Sequence, residues 1–200
     1  MAALLALTAA AAYGAGDFLG GVASRRAPVT AVVLWSHVVG LMILLFAAPL
    51  IGGSATPQAL AVGAVAGIVG GVGVALFYRA LSLGTMSVVA PVAALLSAMV
   101  PVLAGLLGGD RPGIAALAGI AVALVAVMLV SREGQTAETP HPQMLQAVLL
   151  ALAAGLAFGL FFVALDHTGS DVGIWPLVGA RMASVTLFAS LAMARVTTAA

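Results

Sequence analysis

The sequence predicts an all-α fold, a polytopic membrane bundle of about seven transmembrane helices. Hydrophobic residues make up 64% of its 200 residues, charged residues make up only 6%, and the mean hydropathy is +1.25. Residues 27–78 contain no Asp, Glu, Lys or Arg. A soluble domain has about 25% charged residues and buries about two thirds of the surface that its unfolded chain exposes. No soluble fold of this size hides so much apolar surface.

Charges, prolines and Gly/Ser clusters divide the chain into seven apolar segments, each close to the ~20 residues that a helix needs to cross a bilayer. They cover residues 2–23, 30–51, 59–79, 86–107, 113–131, 144–165 and 173–194. None of them alternates apolar and polar residues as a transmembrane β-strand does. The longest polar connection is 132–143, so we expect a first bundle over 1–131, a linker over 132–143 and a second bundle over 144–200.

The composition also excludes several functional classes. The chain has no cysteine, which rules out disulfides, iron–sulfur clusters and thiolate zinc sites, and its three histidines have no metal-ligand spacing. A net charge of +1 without a basic cluster gives no footprint for nucleic acid. A phosphate-binding loop of the Gly-x-x-x-x-Gly-Lys-Ser/Thr type is missing. We therefore expect no cofactor and no nucleic-acid partner, but a lipid bilayer and a small molecule.

Two patterns describe how the helices are arranged. Gly63, Gly67, Gly71 and Ala75 recur every four residues, which predicts a face where another helix backbone approaches closely. The segments on either side of the linker are also weakly alike, because each has an aromatic residue followed by glycine in one helix and a titratable residue in the next. Repeated bundles of this kind are frequent in secondary transporters, whose substrate site lies at the repeat interface.

Nearly the whole chain resembles a known family, most specifically over residues 78–112. The segment 78–91 contains an aromatic-x-Ala-Leu turn and a Ser-x-x-x-Pro helix, and a second proline and a Gly-Asp-Arg loop follow before a small-residue helix over 113–130. These features resemble the drug/metabolite transporter (DMT) superfamily, in its EamA-type branch. Asp110 stands where the family usually has glutamate.

The resemblance implies a fold of ten helices, built as two five-helix repeats of opposite orientation (5+5). The chain would then be truncated after its seventh helix. The resemblance also implies a cytoplasmic N-terminus. The arginines favour the opposite orientation by the positive-inside rule, because only Arg111 falls on the N-terminal side. The orientation in the membrane therefore stays open.

Asp17 is the first candidate site residue, because a carboxylate inside a membrane span costs about 2.5–3.5 kcal/mol or more. It shares a helical face with Tyr13, Gly21 and Ser24. We expect it to bind a substrate amine or a coupling proton; the alternative is a structural pair with Arg25 or an outward-pointing side chain. Residues 14–17 also spell the Gly-x-Gly-Asp signature of intramembrane aspartyl proteases. That chemistry needs a second carboxylate, which no span carries near its middle, so we expect no enzyme.

His37 and Arg181 are the other candidates for substrate or proton coupling. An arginine within a bundle clamps a carboxylate through two hydrogen bonds, and a histidine changes its charge near neutral pH. The alternatives are an Arg181–Asp17 structural pair and a neutral His37 bonded to a backbone carbonyl. Five further residues are candidates for the wall of a transport cavity, since they are aromatic or loosen a helix: Tyr13, Trp35, Tyr78, Pro91 and Pro101.

Together these observations predict a multi-pass permease of the bacterial plasma (inner) membrane. It would move a small metabolite, with export as the expected direction, by gradient-driven alternating access; a proton is one candidate for the coupling ion, which the sequence leaves open. The alternative is a structural or assembly subunit that transports nothing, or an inactive transporter fragment, and it predicts no continuous polar cavity. If no further helices follow residue 200, we expect transport to require a homo-oligomer.

Overall fold

The computed structural model describes residues 2–133, 143–169 and 171–198, which form seven α-helices and no strand. The helices are α1 (Ala2–Ser24), α2 (Val29–Ile51), α3 (Pro57–Leu83), α4 (Met86–Leu107), α5 (Ile114–Glu133), α6 (Met144–Asp166) and α7 (Trp175–Thr198). Six of them are long and apolar enough to cross a membrane, and α5 has a shorter apolar stretch, Ile114–Val127, within the described residues. The predicted all-α membrane bundle is confirmed.

The helix boundaries agree with the predicted segments to within a few residues, and the largest differences have a local cause. Helix α3 continues past the exposed Arg79 because Ala80 and Leu81 pack into the core. It begins earlier than predicted because the Thr56 side chain accepts a hydrogen bond from the Ala59 amide at 3.1 Å, a standard N-cap, and Pro57 follows it. Of the predicted linker, residues 134–142 lie outside the described residues, and the division at 131 and 144 stays a prediction.

Helix α3 lies at the centre of the bundle, and most of its neighbours come from the second half of the chain. It packs extensively against α6 and α7 and more lightly against α1, α2 and α4. Helix α6 also packs along α4, and α7 along α2. Helix α1 has few neighbours, and most of its surface is exposed. Most of the helix packing in the bundle is therefore between the two halves of the chain rather than within either half.

The packing contacts also give the helix directions. Helices α1 and α3 are parallel, since Gly20 meets Tyr78 and Gly21 meets Leu81. Helices α3 and α6 are antiparallel, because Gly70 faces Phe161 whereas Gly84, further along α3, faces Ala147 at the start of α6. It follows that α1 and α6, the first helices of the two halves, run in opposite directions, as they do in inverted-topology repeats.

The predicted small-residue face of α3 is confirmed as a helix interface. Gly63, Gly67 and Gly71 meet Pro176, Ala180 and Ser184 of α7 in turn. A side chain on either of the first two glycines would collide with the α7 backbone. The two helices therefore cross with their backbones in contact, which is the geometry that small residues at four-residue spacing permit.

At one end of the bundle, the α2–α3 loop and the α6–α7 loop are joined backbone to backbone. We call this contact the loop clasp; it joins residues 52–54 to residues 171–173. The Ser54 amide donates a hydrogen bond to the Asp171 carbonyl oxygen at 3.2 Å. Gly53 and Gly173 both have positive φ angles, 94° and 57°, and a Cβ on Gly53 would lie 2.6 Å from the Gly173 nitrogen. The clasp thus depends on glycine for both its backbone conformation and its close contact.

Candidate functional site

A cavity of about 750 Å³ lies near the middle of the bundle. Six of the helices contribute to its wall: α1, α2, α3, α4, α6 and α7. This is the size of site that encloses a small organic molecule. Its central position, between helices of both halves, is where repeat-built transporters bind their substrates.

Small residues on α3 and α4 leave room for the cavity, and aromatic residues on α6 form another part of its wall. Helix α3 lines the cavity with Gly67, Gly70 and Gly71, and α4 lines it with Ala90, Ala93, Ala94 and Ser97. Helix α6 contributes Phe158, Phe161 and Phe162. The wall is therefore mainly apolar and partly aromatic.

Two charged side chains lie in this apolar wall, Asp17 from α1 and Arg181 from α7. Both are half-buried. Among the described residues, neither side chain has a hydrogen-bond or ion-pair partner, so the structural pair that was the alternative to a binding role does not form. Arg25 does not pair with Asp17 either, because its guanidinium donates instead to the carbonyl oxygens of Leu81 and Gly84, each at 3.3 Å. Charges in a membrane span usually face a partner or a cavity, and these two face the cavity.

Two tyrosines lie beside these charges. Tyr13 lines the cavity and interacts electrostatically with Arg181. Tyr78 is buried outside the lining residues, and its ring fills the space beside Gly20 where a larger residue would place its side chain. Tyr78 is close enough to interact electrostatically with both Asp17 and Arg181. Phenol groups, which both donate and accept hydrogen bonds, therefore lie near both charges.

His37 lies apart from the cavity lining and is only 3% exposed. Its Nδ1 atom is 2.8 Å from the Ser184 hydroxyl of α7, and its ring packs edge-on against Phe188. The alternative stated from the sequence was a neutral His37 bonded to a backbone carbonyl. It is wrong about the partner, because the ring bonds to the side chain of Ser184. His37 is therefore not placed to contact a molecule in the cavity.

The other three predicted wall residues also lie elsewhere. Trp35 is 68% exposed and points away from the bundle, because it lies two residues before the inward-facing His37 and so on the other side of α2. Pro91 and Pro101 lie inside α4, as expected, but are not lining residues. Pro91 is rotated away from the face that carries Ala90 and Ala94, and Pro101 lies one turn beyond Ser97. Of the five predicted wall residues, only Tyr13 lines the cavity directly.

Sequence reasoning missed Ser184 and Gly40. Ser184 lies one turn after Arg181 on the same face of α7, and this spacing is the signal that would have singled it out. Gly40 lies one turn after His37 and contacts the Arg181 side chain; a Cβ there would be 3.3 Å from the arginine Nε atom. Among the described residues, no group of three His, Cys, Asp or Glu side chains could hold a metal ion.

Six membrane-crossing helices, with a central cavity that holds a carboxylate and a guanidinium without partners among the described residues, are the features of an integral, multi-pass membrane protein. The model of the EamA-like transporter family matches residues 1–132, and the chain belongs to this family. The resemblance to the DMT superfamily is thereby confirmed, and the family points to a transporter rather than an enzyme. No curated protein and no solved structure matches the chain.

Proposed function

We propose that this transporter moves a small zwitterionic metabolite across the bacterial plasma membrane, in the direction of export, by gradient-driven alternating access. The observation that carries the proposal is the pair of charges in the cavity, Asp17 and Arg181, which have no partner among the described residues. A carboxylate binds an ammonium group, and a guanidinium binds a carboxylate through two hydrogen bonds. The apolar and aromatic remainder of the wall favours a substrate with an apolar part.

The charges have complementary roles in this mechanism. Arg181 clamps the substrate carboxylate, and Asp17 binds the substrate amine or, between transport cycles, the coupling proton. Carboxylates that take up and release protons in membrane proteins usually face a cavity within the helix bundle. Tyr13 lines the cavity and is available to hydrogen-bond the bound molecule, whereas Tyr78 lies outside the lining and interacts electrostatically with both charges.

The cavity also bears on the alternative function. A structural or assembly subunit is expected to have no continuous polar cavity, and an unpaired carboxylate and guanidinium would serve no purpose in its interior. The wall of the cavity is mainly apolar, but Asp17 and Arg181 both face it, and these two charges support the carrier over that alternative.

The test is uptake of radiolabelled zwitterions by the full chain in proteoliposomes. The probes are L-leucine, L-phenylalanine and L-threonine, each measured with an imposed proton gradient, an imposed sodium gradient and no gradient. We expect gradient-dependent uptake of at least one probe. Asp17→Asn and Arg181→Gln should each lower that uptake at least tenfold.

The matched controls are Asp166→Asn and Arg79→Gln, which change the same residue types at exposed positions outside the cavity lining. They should stay within twofold of the wild type. Uptake that survives unchanged in both Asp17→Asn and Arg181→Gln would remove these residues from the site. No uptake of any probe under any gradient would count against a carrier of zwitterions.

A further inference from the structure

The contact between α2 and α7 contains a buried polar contact that the transport mechanism above does not use. His37 Nδ1 lies 2.8 Å from Ser184 Oγ, and both residues are buried. The same hydroxyl lies 3.2 Å from the carbonyl oxygen of Arg181, one turn earlier on α7. A hydroxyl has one hydrogen to donate. When it donates to the Arg181 carbonyl, it accepts from His37 Nδ1–H, and a continuous chain of hydrogen bonds runs from α2 to the backbone of Arg181.

A second contact one turn along α2 involves the Arg181 side chain itself. A Cβ on Gly40 would lie 3.3 Å from Arg181 Nε and 3.7 Å from its Cδ, so the arginine side chain passes directly over this glycine. Both Gly40 and Arg181 line the cavity. Helix α2 therefore contacts α7 through the His37 side chain, and at Gly40 it has no side chain that would obstruct the Arg181 guanidinium.

The surroundings of Ser184 restrict its movement. Gly71 of α3 lies so close that a Cβ there would be 3.0 Å from Ser184 Cβ and 3.2 Å from the Phe188 ring. Phe188 in turn packs against the His37 ring with a centroid distance of 6.2 Å. Because α7 is enclosed by α2 and α3 at this level, a hydrogen bond to Ser184 selects one rotation of α7 about its axis.

We propose that His37 is a positioning residue, which acts through Ser184 to set the rotation of α7 and so directs the Arg181 guanidinium into the cavity over Gly40. His37 touches neither the cavity nor the substrate. The inference rests on the proposed function only in giving Arg181 a substrate to bind. The orientation of the guanidinium can be measured without any substrate.

The experiment labels arginine with phenylglyoxal in the purified full chain and follows the rate at Arg181 by peptide mass spectrometry. His37→Leu and Ser184→Ala remove the two sides of the hydrogen bond. Each should lower the labelling rate at Arg181 at least threefold, because the guanidinium no longer points into the cavity. The double variant should be no slower than the slower single variant, since the two changes break the same contact.

Three controls separate positioning from a general loss of structure. His37→Asn keeps a side-chain amide near the position of Nδ1–H and should restore labelling to within twofold of the wild type. Ser190→Ala removes an exposed α7 hydroxyl whose partner among the described residues is the Leu187 carbonyl of the same helix, and it should leave the rate unchanged. The rate at Arg111, in the α4–α5 connection, should stay constant in every variant.

Two results would overturn the proposal: an unchanged rate at Arg181 in both His37→Leu and Ser184→Ala, or effects of these variants that multiply in the double variant. If His37→Leu fails to fold, Ser184→Ala and His37→Asn still decide the question. The labelling stays informative even if Arg181→Gln transports normally, so failure of the positioning role and failure of the proposed function are distinguishable.

Discussion

Gly67 of α3 lies directly against the backbone of Ala180 of α7, with no space for a side chain between them. The contact is repeated one turn earlier on each helix, where Gly63 meets Pro176, and a Cβ on Gly179, next to Ala180, would lie 2.5 Å from the Leu60 carbonyl oxygen. In a membrane, helices associate through close packing rather than through a hydrophobic effect between them. The crossing of α3 and α7 is therefore a contact between the two halves that is sensitive to side-chain size.

We expect Gly67→Ala to destabilise the protein by about 1–3 kcal/mol, because the added methyl group forces two backbones apart. Gly119→Ala is the matched control, since nothing among the described residues lies within 4 Å of a Cβ at this α5 position. Thermal unfolding in detergent, followed by tryptophan fluorescence, compares the two. A Gly67→Ala protein that is as stable as Gly119→Ala would contradict the close crossing.

Gly20→Ala should impair transport by displacing Tyr78, which interacts electrostatically with Asp17 and Arg181 beside the cavity. Its methyl group would occupy the position of the Tyr78 ring, which must then move away from Asp17 and Arg181. We expect KM for the transported zwitterion to rise several-fold. Gly16→Ala, on the same helix, meets nothing within 4 Å and should leave KM unchanged. Equal effects of the two substitutions would mean that the position of Tyr78 does not matter.

The loop clasp should have to open during transport, because alternating access requires each end of the cavity to open in turn. Since the sequence contains no cysteine, the pair Ser54→Cys/Asp171→Cys can be joined by a short thiol crosslinker without background. We expect the crosslinked protein to transport at least fivefold more slowly and to recover when a reducible crosslinker is cleaved. Each single cysteine variant, treated in the same way, is the control. Full transport by the crosslinked protein would show that this end stays closed throughout the cycle.

Arg25 and Arg26 are neighbours, but only Arg25 is expected to contribute to stability. Arg25 donates to the carbonyl oxygens of Leu81 and Gly84, at the negative end of α3, whereas Arg26 makes no side-chain hydrogen bond among the described residues. Arg25→Ala should cost about 1 kcal/mol, and Arg26→Ala less than about 0.5 kcal/mol. Both are measured as shifts in the thermal midpoint. Equal shifts would show that the hydrogen bonds from Arg25 do not stabilise the C-terminal end of α3.

The sequence was sufficient to predict the helices, because their length and apolar composition are local properties. It also predicted the face of α3 formed by Gly63, Gly67 and Gly71, but not its partner, since Ala and Gly are frequent in every helix and many faces could accept a close neighbour. The partner depends on the three-dimensional arrangement, which no local spacing specifies.

Among the candidate residues, the position of Asp17 and Arg181 in the cavity wall was predictable, because a charge in a membrane span is costly and usually faces a cavity or a partner. Trp35 was not predictable in the same way, since an aromatic ring is stable against lipid, at an interface or in a cavity. The role of His37 also depends on tertiary contacts, because its partner, Ser184, is distant in sequence and lies on the last described helix.

The central position of α3 has a consequence for how the protein is made. Its glycine faces are filled by α6 and α7, which the ribosome has not yet synthesised when α3 enters the membrane. At about 5–20 residues per second, seconds pass before these helices arrive, and lipid or the insertion machinery must cover the glycine faces until then. The first half of the chain therefore reaches its final packing only after the second half has been inserted, and a ribosome stalled between α5 and α6 should leave a membrane-inserted but loosely packed intermediate.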